Sequence, residues 1–256
     1  MNKKRSELKV LLLQIREDEQ TILEEFYEFV QFSKLHEEQV VKLNVFNNRE
    51  FSPAVISGYD ALMVGGSSDA TVRDLETYDF VHSCKKLLRV CYEQNIPVLS
   101  SCFGFQIAVE EFGGKVILDK DNMEMGLYQV ELNEQSLTDK LLFDYPNKFW
   151  AVSGHKERAS ILPKEAILLG GTDLCPYHIF TFKDKPFYAF QFHPEVDTKD
   201  LISRISRYQH RYLDEENSLQ KIIDNAIHET TESNKIIERF IDRIVLNNNT
   251  THYNLL

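Results

Sequence analysis

Short apolar runs alternate with longer amphipathic ones through the first half of the chain. Leu8–Gln14 and Gln39–Phe46 read as strands, with Thr21–Leu35 as a helix between them. Ala61–Val64 reads as a strand that ends in Gly65-Gly66-Ser67-Ser68. In Phe80–Gln94, Val81, Cys84, Leu87, Leu88 and Cys91 are spaced to form one apolar stripe, which predicts a helix. Pro97–Ser100 is the next strand and Phe103–Phe112 the next helix, with Gly113-Gly114 as its stop signal. Strand and helix alternating in this order predict βαβ units and a parallel sheet covered on both faces.

After Val116 the pattern shortens. Gly126–Leu132, Phe149–Ser153, Ala166–Gly170, Ile179–Lys183 and Phe187–Phe192 predict strands that extend the sheet or form a small antiparallel layer. Helical pattern dominates from Thr198 onward, over Leu201–Leu213, Ser218–Thr230 and Ser233–Leu246, before a polar tail at 247–256. Neither a repeat nor a low-complexity linker divides the chain. One domain over 1–256 is expected, with its core at about 8–197 and 233–246 and a helical insertion at about 199–232. In that insertion, the stripe of Leu201, Ile205, Tyr208, Tyr212 and Leu213 reads as packing before it reads as a partner surface.

Composition narrows the function. A chain of 256 residues with 43% hydrophobic content can bury a substantial core. Its net charge of −11 disfavours a nucleic-acid surface, which needs clustered Lys and Arg. No run approaches the ~18–20 apolar residues of a membrane span, so no membrane role is expected. The basic start and the apolar Val10–Leu13 superficially resemble a signal peptide. The run is too short, and Arg16–Glu19 follows it, so a first strand and a cytoplasmic location are expected. Cys84, Cys91, Cys102 and Cys175 show no C-x-x-C spacing, so neither zinc nor a disulfide framework is expected, and no cofactor.

The candidate chemistry begins at "SSCFG". Cys102 stands where a strand meets a helix start, with Ser100, Ser101 and Gly104 around it. A reactive residue held on so sharp a turn needs small neighbours. The helix start favours negative charge on the sulfur, and the N–H of Phe103 points where a substrate oxyanion would form. As a bland alternative, Cys102 is a small core hydrophobe. A cysteine nucleophile also needs a base, and the base needs an orienting group. His193, in "FYAFQFHPEV", sits at the end of a buried strand pattern, with Gln191 on its face and Glu195 two residues beyond. Pro194 stops the ladder there. A strand ending in Gly65-Gly66 lets backbone approach a ligand closely, although an ordinary β-to-α turn has the same look.

Taken in order, GGSS, SSCFGFQ and QFHPE resemble the class I glutamine amidotransferases, and most nearly the glutaminase domain of GMP synthase and its free-standing relatives. "HKERASILP", from His155 to Pro163, is similar to the family segment before the late strands, and "SNKIIERFIDRIV" to its final helix. The resemblance implies a flavodoxin-like three-layer α/β/α sandwich, with a mostly parallel central sheet, a small antiparallel addition and a C-terminal helical appendage. It further implies Cys102 as nucleophile, His193 as base and then acid, and Glu195 as the group that orients it. Gly66 and Phe103 would supply the oxyanion N–H groups. Gly65, Gln106, Ser153 and His155 would border the substrate, with no metal involved.

Ser100 replaces the family's usual glycine, Phe105 a common histidine, and Ser67 the proline after Gly-Gly, while Ser153-Gly154-His155 is one residue longer than the commoner Ser-His. None of these touches the triad. Three functions stay open: a glutaminase that passes ammonia to a separate synthetase, a γ-glutamyl peptide hydrolase that works without a partner, and a non-catalytic protein-binding module. No phosphate-cradling P-loop motif is present.

Overall fold

The protein is described by a computed structural model covering residues 3–207, 222 and 226–248. Five strands form the parallel part of a nine-stranded sheet, in the order β2 (Val40–Asn44), β1 (Val10–Gln14), β3 (Ala61–Val64), β4 (Val98–Ser101) and β11 (Phe187–Phe190). Beyond β11 the sheet continues antiparallel through β10 (Ile179–Phe182), β9 (Ala166–Gly171), β6 (Glu124–Leu132) and β7 (Lys148–His155). A separate antiparallel pair, β5 (Lys115–Leu118) with β8 (Glu157–Ile161), lies outside the sequence-based expectations.

Each face of the sheet carries its own core. Leu12, Met63, Leu99 and Phe190 join one face, under α1 (Glu19–Ser33) and α5 (Thr231–Arg239). Alternate residues Leu11, Leu13, Leu62, Val64 and Val98 join the other, under α2 (Phe80–Glu93) and α3 (Phe103–Glu111). Period-two alternation in a strand buried on both sides leaves both sets apolar, which is why these strands read as continuous apolar runs. The stripe predicted for α2 is fully buried, Cys84 and Cys91 included. This is the flavodoxin-like three-layer sandwich that the resemblance implied.

Local capping sets the helix bounds. Asp18 accepts the Gln20 N–H at 3.1 Å and opens α1 two residues before the predicted start. Lys34, at φ 56°, ends it in the left-handed region. The C-terminal helix α5 continues into a π-helical turn, Phe240–Val245, whose Phe240, Ile241, Ile244 and Val245 are buried. In the region 199–232, helix α4 (Thr198–Arg207) packs Leu201 and Ile205 with Leu127, Val152, Val196 and Ile222. Residues Tyr208, Tyr212 and Leu213 of the predicted stripe, most of 218–230 and the end of the polar tail lie outside the described residues.

Candidate active site

The C-terminal ends of the parallel strands converge on one cavity of about 260 Å³. Open α/β sheets bind ligands there, because loops and helix N-termini meet without side-chain layers covering them. Cys102 is the single residue between β4 and α3 and takes φ 47° and ψ −98°. Positive φ is strained for a residue with a Cβ, and such strain persists only where the surroundings enforce it. Here the Cys102 N–H donates to the Phe190 carbonyl at 2.7 Å, tying the elbow to β11. A Cβ on Gly104 would lie 2.8 Å from Val64 Cγ1 and 3.0 Å from Ser100 Cβ. The missing side chain at 104 thus makes room for the serine at 100, and the strain sits on Cys102 itself.

His193 follows β11 and is tied across to β7, its N–H donating to the Val152 carbonyl at 2.8 Å. Its Nδ1 lies 2.7 Å from Glu195 Oε1, and Glu195 is fully buried. The Cys102 side chain is the ring's other electrostatic partner. Burial opposes charge on His193, but the adjacent Cys102 and Glu195 outweigh it and push the imidazole up to about 10. Glu195 experiences the complementary effect. Burial works against its charge, yet His193, a backbone N–H and Arg16 hold it below the usual carboxylate range.

The loop after β3 closes the site from the other side. The Gly65 N–H donates to the Leu13 carbonyl at 3.0 Å, so it serves the sheet. A Cβ on Gly65 would strike the Glu25 carboxylate, and one on Gly66 would lie 2.7 Å from His193 Cε1 and 3.4 Å from Cys102 Cβ. Only glycine lets this backbone approach the cysteine and histidine so closely. Phe103, Gln106, Ser153 and His155 line the cavity with Cys102 and His193. Gln106 Nε2 donates to the Glu157 carbonyl at 3.0 Å. The buried Ser153 Oγ has no hydrogen-bond partner among the described residues.

Several wall residues carry no motif. Arg16, Lys156 and Arg204 bring cationic side chains to the cavity. Arg16 Nε donates to Glu25 Oε1 at 2.9 Å, and Arg204 Nη2 to Glu28 Oε1 at 2.6 Å, all four residues being buried. Burial drives Glu28 up to about 7 despite Arg204. A charged residue two positions beyond the first parallel strand was the one available signal for Arg16. His155 also carried a hidden partner, since its Nε2 lies 3.1 Å from Glu124 Oε2.

Comparison with known proteins agrees with this geometry. The family described as "Glutamine amidotransferase class-I" matches residues 19–209. A GMP synthase [glutamine-hydrolyzing] from Photorhabdus laumondii is 30% identical over 153 residues, covering 58% of this chain and 26% of that protein. One from Malacoplasma penetrans is 33% identical over 121 residues, covering 46% and 23%. The chain thus matches about a quarter of the length of these relatives. A solved glutamine amidotransferase from Thermotoga maritima shares the fold, with a TM-score of 0.74, 20% identity, and coverage of 92% of this chain and 98% of that one. The chain belongs to the class-I glutamine amidotransferase family, and is related to the glutaminase part of GMP synthase.

Proposed function

We propose that the chain hydrolyses the side-chain amide of glutamine through a γ-glutamyl thioester on Cys102, releasing ammonia to a separate acceptor enzyme. The observation that carries this reading is the His193 ring, held between Glu195 at 2.7 Å and the thiol on the strained elbow. His193 takes the thiol proton, and the thiolate attacks the amide carbon. The N–H groups of Phe103 and Gly66 receive the negative oxygen of the tetrahedral intermediate. The imidazolium returns its proton to departing ammonia. His193 then deprotonates a water, which attacks the thioester, and glutamate leaves as the sulfur is freed. Glu195 holds the ring with Nδ1–H toward itself, so the other nitrogen faces sulfur.

A second reading has support from the wall of the cavity. Arg16, Lys156 and Arg204 suit a substrate with a carboxylate beyond the γ-amide, as a γ-glutamyl peptide has. The deciding experiment is steady-state glutamate release by the purified chain from glutamine and from γ-glutamyl dipeptides. It should be paired with mass spectrometry of the denatured enzyme for a glutamyl adduct on Cys102. A glutaminase subunit turns over glutamine slowly alone and faster with its synthetase. Fast partner-free cleavage of dipeptides with glutamine a poor substrate selects the second reading. Turnover without any adduct, undiminished in Cys102→Ala, rejects both.

A further inference from the structure

Beside the cavity wall lies a second cluster that the proposed reaction does not use. His155 ends β7, while Cys175 and His178 lie on the segment between β9 and β10. One ring nitrogen of each histidine and the Cys175 sulfur lie within 4.8 Å of one another, and all three residues are buried. Glu124, at the start of β6, takes both imidazoles on one oxygen, with His155 Nε2 at 3.1 Å and His178 Nε2 at 2.7 Å from Oε2. Thr172 donates its hydroxyl to the other oxygen, and the Cys175 N–H donates to Thr172 Oγ1 at 2.9 Å. The loop from 172 to 178 is thereby wrapped around the carboxylate.

The hydrogen-bond inventory leaves a remainder. With Nε2 of each ring turned to Glu124, Nδ1 is the nitrogen left, and in both rings it is buried without a hydrogen-bond partner among the described residues. Two buried lone pairs left unmatched are costly. An imidazole that gives one N–H to a carboxylate and keeps the other nitrogen bare is arranged as metal-bound histidines are. We propose that His155, His178 and Cys175 form a binding site for Zn²⁺, with Glu124 fixing both imidazoles from behind.

The donor chemistry suits that ion. Two imidazoles and a thiolate select zinc over magnesium or calcium. Thiolate and carboxylate together balance its two positive charges. Zinc displaces the thiol proton to solvent when it binds. Donor atoms around tetrahedral zinc stand roughly 3.4–3.6 Å apart, given bonds of about 2.0–2.3 Å. Binding therefore requires side-chain rotations that draw the donors, now within 4.8 Å of one another, closer together.

The ion would lock β6, β7 and the 172–178 loop together beneath the cavity wall that His155 forms. The test is metal binding, with no dependence on turnover. The purified full chain, the Cys102→Ala variant and a Cys175→Ser, His178→Ala double variant are loaded with Zn²⁺, gel-filtered and analysed for metal. The first two should retain about one equivalent, and the double variant should bind at least about a hundredfold more weakly. Co²⁺ should produce thiolate charge-transfer absorption that Cys102→Ala keeps and Cys175→Ser loses. Under a tenth of an equivalent in the unaltered chain overturns the proposal. So does retention that depends on Cys102, or retention indifferent to Cys175 and His178. The unaltered chain and Cys102→Ala decide the matter even if the double variant fails to fold.

Discussion

Two histidine–carboxylate clusters meet at β7, one through the Val152–His193 bridge and the other through His155, and burial leads them in opposite directions. His193 and His178 each have a carboxylate oxygen at 2.7 Å, and both residues are buried. At His193 one carboxylate serves one ring and the Cys102 sulfur adds a second negative partner, so the imidazole rises to about 10. At Glu124 one carboxylate is shared between His155 and His178, and each ring's charge would repel the other's. Burial therefore wins at His155, which is held below the ordinary range. Burial also resists charge on Glu124, but hydrogen bonds from the two rings hold it far below the usual carboxylate range. A carboxylate that serves a single ring beside the Cys102 sulfur raises His193, whereas one shared between two rings leaves His155 lowered.

The sharpest way to break this contrast is to remove its negative partner. Cys102→Ala should lower glutamate release by at least about 10³-fold, and His193→Ala nearly as much, since nucleophile and base act as a unit. Iodoacetamide mapped by mass spectrometry should label Cys102 first, because burial pushes the Cys84, Cys91 and Cys175 thiols well up. Full activity in Cys102→Ala, or Cys175 labelled first, would contradict the assignment of roles.

Next in size is Gly66→Ala. Its Cβ would sit 2.7 Å from His193 Cε1, so the loop must retreat from the elbow and carry its N–H away. A misplaced oxyanion donor costs roughly 10²–10³ in rate. The loss should fall on kcat with the circular dichroism spectrum unchanged. A rise in KM alone would show that Gly66 serves binding instead.

How far the sequence foretold all this differs between the same two clusters. Cys102, His193 and Glu195 were legible because their signals are local: a strand-to-helix cysteine with small neighbours, and a histidine two residues from its carboxylate. Glu124 and His178 meet across 54 positions, and neither stands in a motif. Arg16 and Arg204 are likewise paired with α1 residues that no spacing rule connects to them. The fold shows the same division. Strand β3 and helix α2 were read to within a residue because apolar runs and stripes identify them. The pair β5 and β8 escaped because both are short, and Glu157 and Arg158 give β8 no apolar alternation.

Glu195→Gln sharpens the comparison by halving the negative surroundings of His193. In the proposed reaction the imidazolium protonates ammonia, so the alkaline limb of kcat/KM should lie near 10 in the unaltered chain. The pKa is raised, so the stabilisation from this charge is full below the ordinary value of about 6.5 and is lost as pH rises through the folded value. In Glu195→Gln the limb should move down by at least a unit, with a rate loss of about a hundredfold at neutral pH. An unmoved limb would assign the elevation to Cys102 alone.

The smallest expected effect belongs to Ser153, on the strand that joins the two clusters. Its hydroxyl lines the cavity, is fully buried and has no hydrogen-bond partner among the described residues. An unmatched buried hydroxyl costs on the order of 1 kcal/mol or more in the free protein. If substrate supplies the missing partner, that cost is recovered on binding, and Ser153→Ala forfeits the recovery. The variant should then be more stable than the parent by about 1 kcal/mol in urea unfolding. Its KM should rise roughly three- to tenfold with kcat nearly unchanged, as loss of one neutral hydrogen bond predicts. The two readouts move in opposite senses, which separates substrate binding from mere packing. A destabilised variant with unchanged KM would make Ser153 a structural residue of β7, and would leave Gln106 to meet the substrate on that side.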